Sequence, residues 1–177
     1  MIKDIKENLL QQKAWFALYT KPRSEFKAAK QIEAAGIEYY LPSITKIKQW
    51  SDRKKKITEP LISGYIFIYA DEKERITSLE QFSIVRCVFE RGRPAKIPQW
   101  QIDNLKNMLL NESEFQIKEG LVRGVKVKIK EGPFAGVIGT VQDSSTGKTI
   151  AVSIDLLNRS VIAHLPKESI FEIIKEK

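Results

Sequence analysis

Between Val125 and Lys130 apolar and basic residues take strict turns: Val125, Val127 and Ile129 alternate with Lys126, Lys128 and Lys130. A period of two sends successive side chains to opposite faces, so this stretch predicts a strand with one wet face. Ile150, Val152, Ile154 and Leu156 repeat the pattern, as do Val161, Ala163 and Leu165. Short strands about 8–12 residues apart with turn signals between them predict a small β-barrel. The first half of the chain reads differently. WFALYTK (15–21) is a buried-strand run, rich in aromatic and aliphatic residues. RSEFKAAKQIEAAG (23–36) predicts a helix closed by Gly36. On its wheel Phe26, Ala28, Ala29, Ile32 and Ala35 share one side, and Arg23, Lys27 and Lys30 share the other. Strand regions follow at 37–50, 57–70 and 83–92, with a helix at 71–82 and another from Pro98 to Leu110. The order β-α-β-β-α-β plus a final helix predicts an α+β sandwich of the ferredoxin-like kind with an antiparallel sheet.

Composition adds a boundary. Six of the nine glycines lie between Gly120 and Gly147, whereas all five tyrosines and all three tryptophans precede residue 101. The segment LNESEFQIKEGL (110–121) is polar, acidic and without period, and reads as a linker. The expected organisation is a tail (1–13), an α+β domain (14–109), the linker (110–121) and the small barrel (122–177). Charge adds a partner class. The net charge is +8, and residues 1–56 hold 13 Lys/Arg against 6 Asp/Glu while the rest hold 17 against 16. An excess confined to one region favours a polyanion at that region. The first residues carry no apolar signal core and Cys87 is the lone cysteine, so a cytoplasmic protein without a disulfide is expected.

EGPFAGVIGTV (131–141) poses a chemical choice, because glycine at this density either cradles phosphate or shapes turns. Gly147-Lys148-Thr149 ends like a P-loop, but Gln142 stands where the first glycine belongs, and a strand rather than a helix follows. The glycines are therefore read as turn and bulge residues. His164 and Cys87 are single copies on different strands, too few for a His/Cys metal site. No metal, cofactor or catalytic residue is expected.

The stretch VRGVKVKIKEGPFAGVIGTV, followed by SIDLLNRSVIAHL, resembles a KOW domain, an SH3-like barrel. WFALYTKPRSEFKAAKQI, YYLP and EPLISGYIFI resemble the NGN domain of the NusG family of transcription elongation factors. The two similarities come in the family's order and span nearly the whole chain after residue 13. The resemblance implies docking on the clamp helices of bacterial RNA polymerase, and the matching positions are Tyr19, Leu61, Ile62, Tyr65 and Phe67. Aromatic side chains offer a partner helix large, rigid contact area. Tyr65 and Phe67 share one strand face and Ile66 and Ile68 the other, and the alternation alone leaves open which is buried. Ser63 stands where proline is usual.

The resemblance also gives the basic residues a task. Lys21, Arg23, Lys27 and Lys30 match the region by which RfaH- and UpxY-like specialised paralogues meet the displaced non-template DNA strand. Arg53, Lys54, Lys55 and Lys56 form a basic hairpin tip within reach of nucleic acid. No stacking ring beside them is apparent. In general NusG proteins a Phe-Gly-Arg turn of the barrel binds the termination factor Rho or a small-subunit ribosomal protein. The matching triplet here is Leu157-Asn158-Arg159, and the missing aromatic weakens the case for Rho. The implied protein is a monomeric, non-catalytic factor that suppresses pausing or termination, tilted toward a specialised antiterminator of long operons such as those for surface polysaccharide. The alternatives are a housekeeping NusG factor and a ribosome-associated RNA-binding KOW protein.

Overall fold

The structure is a computed structural model that describes residues 12–49, 53–110 and 113–174. The chain separates into two compact units, Met1–Pro98 and Gln99–Lys177.

In the first unit, β1 (Ala14–Thr20) leads to α1 (Glu25–Ala34), β2 (Glu38–Tyr40), the hairpin strands β3 (Ser43–Gln49) and β4 (Lys54–Pro60), and β5 (Tyr65–Ala70). Then come α2 (Glu72–Leu79), β6 (Ile84–Cys87) and the short strands β7 (Phe89–Glu90), β8 (Arg93–Pro94) and β9 (Lys96–Ile97). The main sheet runs β2-β5-β1-β6, with β9 also pairing β1, and every pairing is antiparallel. Counting only the four main strands, this is the 2-3-1-4 order of a ferredoxin-like sandwich, as the element order predicts.

Local chemistry fixes the helices. α1 ends in a Schellman arrangement: Gly36 takes φ +72°, its N–H donates to Glu33 O, and the Ile37 N–H donates to Ile32 O. α2 begins with a capping box, in which the Asp71 carboxylate accepts from the Glu74 N–H and the Glu74 carboxylate accepts from the Asp71 N–H. Ala28, Ala29 and Ile32 of α1 pack with Phe16, Leu18, Ile66 and Ile68 of the sheet to form the core. Phe26, expected on that buried side, is exposed instead. β3 and β4 form a two-stranded sheet of their own. Lys54, Lys55 and Lys56, expected at the hairpin tip, are paired residues of β4, opposite Gln49, Lys48 and Ile47. Arg53 directly precedes them.

The second unit begins with α3 (Gln99–Leu109), followed by β10 (Phe115–Glu119), β11 (Val125–Glu131), β12 (Ile138–Ser144), β13 (Gly147–Ile154), a single 3-10 turn (Asp155–Leu157), β14 (Arg159–His164) and β15 (Ile170–Ile173). Its antiparallel sheet runs β10-β14-β13-β12-β11-β15. The alternating residues Val127, Ile129, Ile150, Val152, Ile154, Val161, Ala163 and Leu165 are buried, as is Phe134, whereas Val125 at the start of its strand is exposed and Leu156, in the 3-10 turn, is half-buried. Gly132 (φ +105°) and Gly136 (φ +86°) serve the turn as expected, whereas Gly139 is a paired strand residue rather than a turn or bulge. Gly139 lies on β12, where an added Cβ would sit 2.7 Å from the Ala151 carbonyl oxygen on β13.

Two boundaries differ from expectation. Residues 115–119, read as linker, form β10 and pair with β14 from Phe115↔Ala163 to Glu119↔Arg159. Most of β10 is exposed, so no amphipathic pattern marks it. The helix Gln99–Leu109, expected to close the first domain, groups with the β domain. The buried Gln101 side chain donates to Asp155 Oδ2 (2.7 Å) and accepts from the Asp155 N–H (3.3 Å), and Asn104 Oδ1 accepts from the Ile138 N–H (3.1 Å).

Candidate docking and nucleic-acid surfaces

One face of the main sheet is lined with aromatic rings. Strand register sets Trp15 opposite Tyr69, Ala17 opposite Phe67, Tyr19 opposite Tyr65, and Tyr40 opposite Phe67. The Trp15–Tyr69 and Tyr19–Tyr65 ring centroids are each 5.4 Å apart, and the Tyr40 and Phe67 rings stack at 6.4 Å. These are the offset and edge geometries that aromatic quadrupoles favour. Ile66 and Ile68 face the helix-side core, which resolves the choice that alternation leaves open. Of the five expected docking residues, Leu61, Ile62 (2% exposed) and Phe67 are interior, whereas Tyr19 and Tyr65 are half-buried and present ring surface. Burial pushes the Tyr40 phenol well above its ordinary range.

The loop between β4 and β5 is held from two sides. The buried Glu25 carboxylate, at the start of α1, accepts from the Gly64 N–H at 2.7 Å. The Thr20 N–H donates to Gly64 O at 2.8 Å. Gly64 has φ +83°, and a Cβ there would lie 3.1 Å from the Tyr19 ring, so glycine serves both the backbone bend and the close ring. Ser63, in place of proline, therefore leaves a well-braced turn. Beside it opens a cleft of about 570 Å³, lined among others by Tyr19, Arg23, Glu25, Glu59 and Pro60. The Thr20 hydroxyl, on the same cleft, is 1% exposed and lacks a hydrogen-bond partner among the described residues.

Arg23 lines this cleft, and Lys21 and Lys27 are chain neighbours of its lining residues Pro22 and Phe26. Lys27 and Lys30 project from the exposed side of α1. Arg23 sits in the turn before it, where the Ser24 N–H donates to Lys21 O, and takes φ +55°, a conformation that disfavours residues with a Cβ. Lys21 Nζ lies 3.4 Å, and Lys27 Nζ 5.2 Å, from the ring centroid of Phe82. Phe82 is the last residue of the stretch expected to be helical (71–82), but the helix stops at Leu79 and Phe82 falls between α2 and β6, where nothing in the sequence marks it as a site.

In the β domain, the triplet expected to recruit a partner splits. Leu157 is buried (8% exposed), Asn158 is exposed at φ +48°, and Arg159 pairs with Glu119 at 2.8 Å. Asparagine is the side chain that best tolerates this left-handed position after glycine, which suits Asn158 to it. Cys87 is a buried thiol pushed up by desolvation. Among the described residues no cluster of His, Cys, Asp and Glu could hold a metal, and no helix is long and apolar enough to cross a membrane.

The family model described as transcription termination factor NusG matches residues 13–106, more than half of the chain. The chain belongs to the NusG family. A NusG transcription termination/antitermination protein of Campylobacter jejuni is 26% identical over 174 residues, covering 90% of this chain and 97% of that protein. The Helicobacter pylori protein of the same name is 27% identical over 143 residues, covering 73% and 80%. A solved structure of Thermotoga maritima NusG aligns at 21% identity with a TM-score of 0.47, over 86% of this chain and 93% of that one. The NusG match contains the aromatic face, the cleft and the Lys21–Phe82 cluster, while the Leu157–Arg159 turn lies outside it.

Proposed function

We propose that this NusG-family protein is a non-catalytic factor that binds the bacterial RNA polymerase elongation complex and suppresses pausing or termination. The observation that carries the reading is the adjacency, within one unit, of two different surfaces: half-buried tyrosines paired on the sheet, and a basic segment that meets them at the cleft lined by Tyr19 and Arg23. Tyr19 and Tyr65 would dock on the polymerase clamp helices, with Leu61, Ile62 and Phe67 as the packed support beneath them. Lys21, Arg23, Lys27 and Lys30 would meet the non-template strand by counterion release, with Arg53, Lys54, Lys55 and Lys56 adding charge from the hairpin. Asn158 and Arg159 would carry any contact of the β domain with Rho or a ribosomal protein.

The experiment is co-migration of the purified protein with a stalled elongation complex. Wild type binds, and Tyr65→Ala lowers affinity about tenfold or more, as removal of a central aromatic anchor does. Unchanged affinity for Tyr65→Ala would sink the docking assignment. A specialised antiterminator is favoured over the housekeeping role by the aliphatic, buried Leu157 in place of a surface aromatic. Chromosome-wide occupancy confined to a few operons supports that choice, and occupancy at most genes overturns it.

A further inference from the structure

We propose that Phe82 is a stacking platform for an unpaired base, with Lys21 and Lys27 as the cations that receive the flanking phosphates. The ligand class is single-stranded nucleic acid; that its source is the displaced DNA strand rests on the reading above. Phe82 is 68% exposed. Single exposed apolar residues are ordinary, but this one has two ammonium groups over the same ring, at 3.4 and 5.2 Å from its centroid, so a base stacking on the face that Lys21 covers displaces its ammonium toward the phosphate. Neither lysine has a carboxylate within ion-pair distance among the described residues. Among the described residues the positive charge is therefore uncompensated where the ring is wet.

The ring is also mounted firmly. The next residue, Ser83, is buried; its N–H donates to Gln31 Oε1 at 3.0 Å and its carbonyl accepts from the Lys21 N–H at 2.9 Å. The Ile84 N–H closes the turn onto Gln81 O at 3.0 Å. These bonds tie the Phe82 backbone to α1 and to the end of β1, so little ordering remains for binding. The ligand's chemistry follows from the pair of features. An acidic peptide would satisfy the lysines but offers no flat face to the ring, and a duplex hides its base faces in the stack. An unpaired nucleotide presents a π-face and a phosphate together, the combination that single-strand binders use.

The test uses the full chain and three labelled probes: a single-stranded thymidine 12-mer, a 12-mer with abasic sites, and a 12-base-pair duplex. Wild type prefers the thymidine strand over the abasic strand by about 5- to 150-fold, the range of one base–aromatic contact. Phe82→Ala brings the preference to within about twofold, and Phe82→Trp keeps it. Lys21→Ala with Lys27→Ala weakens both single strands alike and lowers the log–log salt slope by about 1.4. Equal wild-type affinity for the thymidine and abasic strands, no binding of the thymidine strand, or a preference that survives Phe82→Ala would each overturn the proposal. Binding to a stalled elongation complex is measured in parallel. Complex binding without a base preference refutes only the stacking platform. A Phe82-dependent preference without complex binding supports the platform and refutes the polymerase reading.

Discussion

Glu25→Ala removes the carboxylate that accepts the Gly64 N–H at 2.7 Å and leaves a half-buried donor without a partner. A hydrogen bond to a charged group contributes about 1.5–3 kcal/mol, and water can re-solvate part of the exposed donor, so the expected loss is about 2 kcal/mol. Two consequences scale with that figure. Opening of the β4–β5 loop becomes roughly 30-fold more frequent, since each 1.4 kcal/mol is about tenfold, and hydrogen exchange at the Gly64 amide accelerates accordingly. The unfolding midpoint of the α+β unit falls by roughly 8–16 °C, at about 4–8 °C per kcal/mol for a domain of this size. Glu25→Gln keeps an acceptor and loses about half as much. Glu33→Ala, on the exposed side of the same helix, is the control and changes neither readout. Because the loop carries the buried docking candidates Leu61 and Ile62, Glu25→Ala is also expected to weaken the proposed polymerase association beyond the Glu33 control. Unchanged Gly64 exchange in Glu25→Ala would refute the view that this carboxylate holds the loop. Equal losses for Ala and Gln would assign the effect to the charge rather than to the acceptor.

Gly139→Ala pushes a methyl against the Ala151 carbonyl and Ile150, and costs about 1–3 kcal/mol in urea unfolding of the β domain; a change under about 0.5 kcal/mol would show that the strands can part there. Arg23→Gly relieves a left-handed residue and raises stability by about 0.5–1 kcal/mol after glycine's own entropy is counted, while single-strand binding weakens; a fall in stability would contradict the strain. Tyr40 and Cys87 both have burial-raised pKa values, so the fold retains their protons and stability is full below the thiol's ordinary 9.0 and the phenol's ordinary 10.0. It is then lost as pH rises further, and the urea midpoint between pH 8 and 10.5 falls less steeply in Tyr40→Phe/Cys87→Ala than in wild type; identical slopes would rule out both groups as its cause.

The parts of the fold that could be read from the chain are those in which one face is wet. Lys126, Lys128 and Lys130 betray the direction of Val127 and Ile129, and the lysines of α1 betray Ala28 and Ile32. YIFIYA has no polar face to do this, so the orientation of Tyr65 and Phe67 had to come from tertiary structure. Gln101 and Asn104 are polar residues whose partners lie 54 and 34 positions along the chain, and no local pattern connects them. For the same reason no local pattern marks Glu25, whose partner is a backbone amide 39 residues away. Phe82 was invisible for the opposite reason, since its environment is built by side chains from α1 and the end of β1 rather than by its own neighbours.

The β3–β4 ladder runs seven pairs from Ser43↔Pro60 to Gln49↔Lys54, and at about 3.4 Å per residue its ends are some 20 Å apart. At physiological salt that is more than two screening lengths. Charge at the Arg53–Lys56 end therefore acts outside the ionic atmosphere of the hairpin's base, as an antenna. Under the proposed nucleic-acid role it would set the distance at which an approaching polyanion is first felt, and hence the encounter rate, and leave residence time to contacts nearer the sheet.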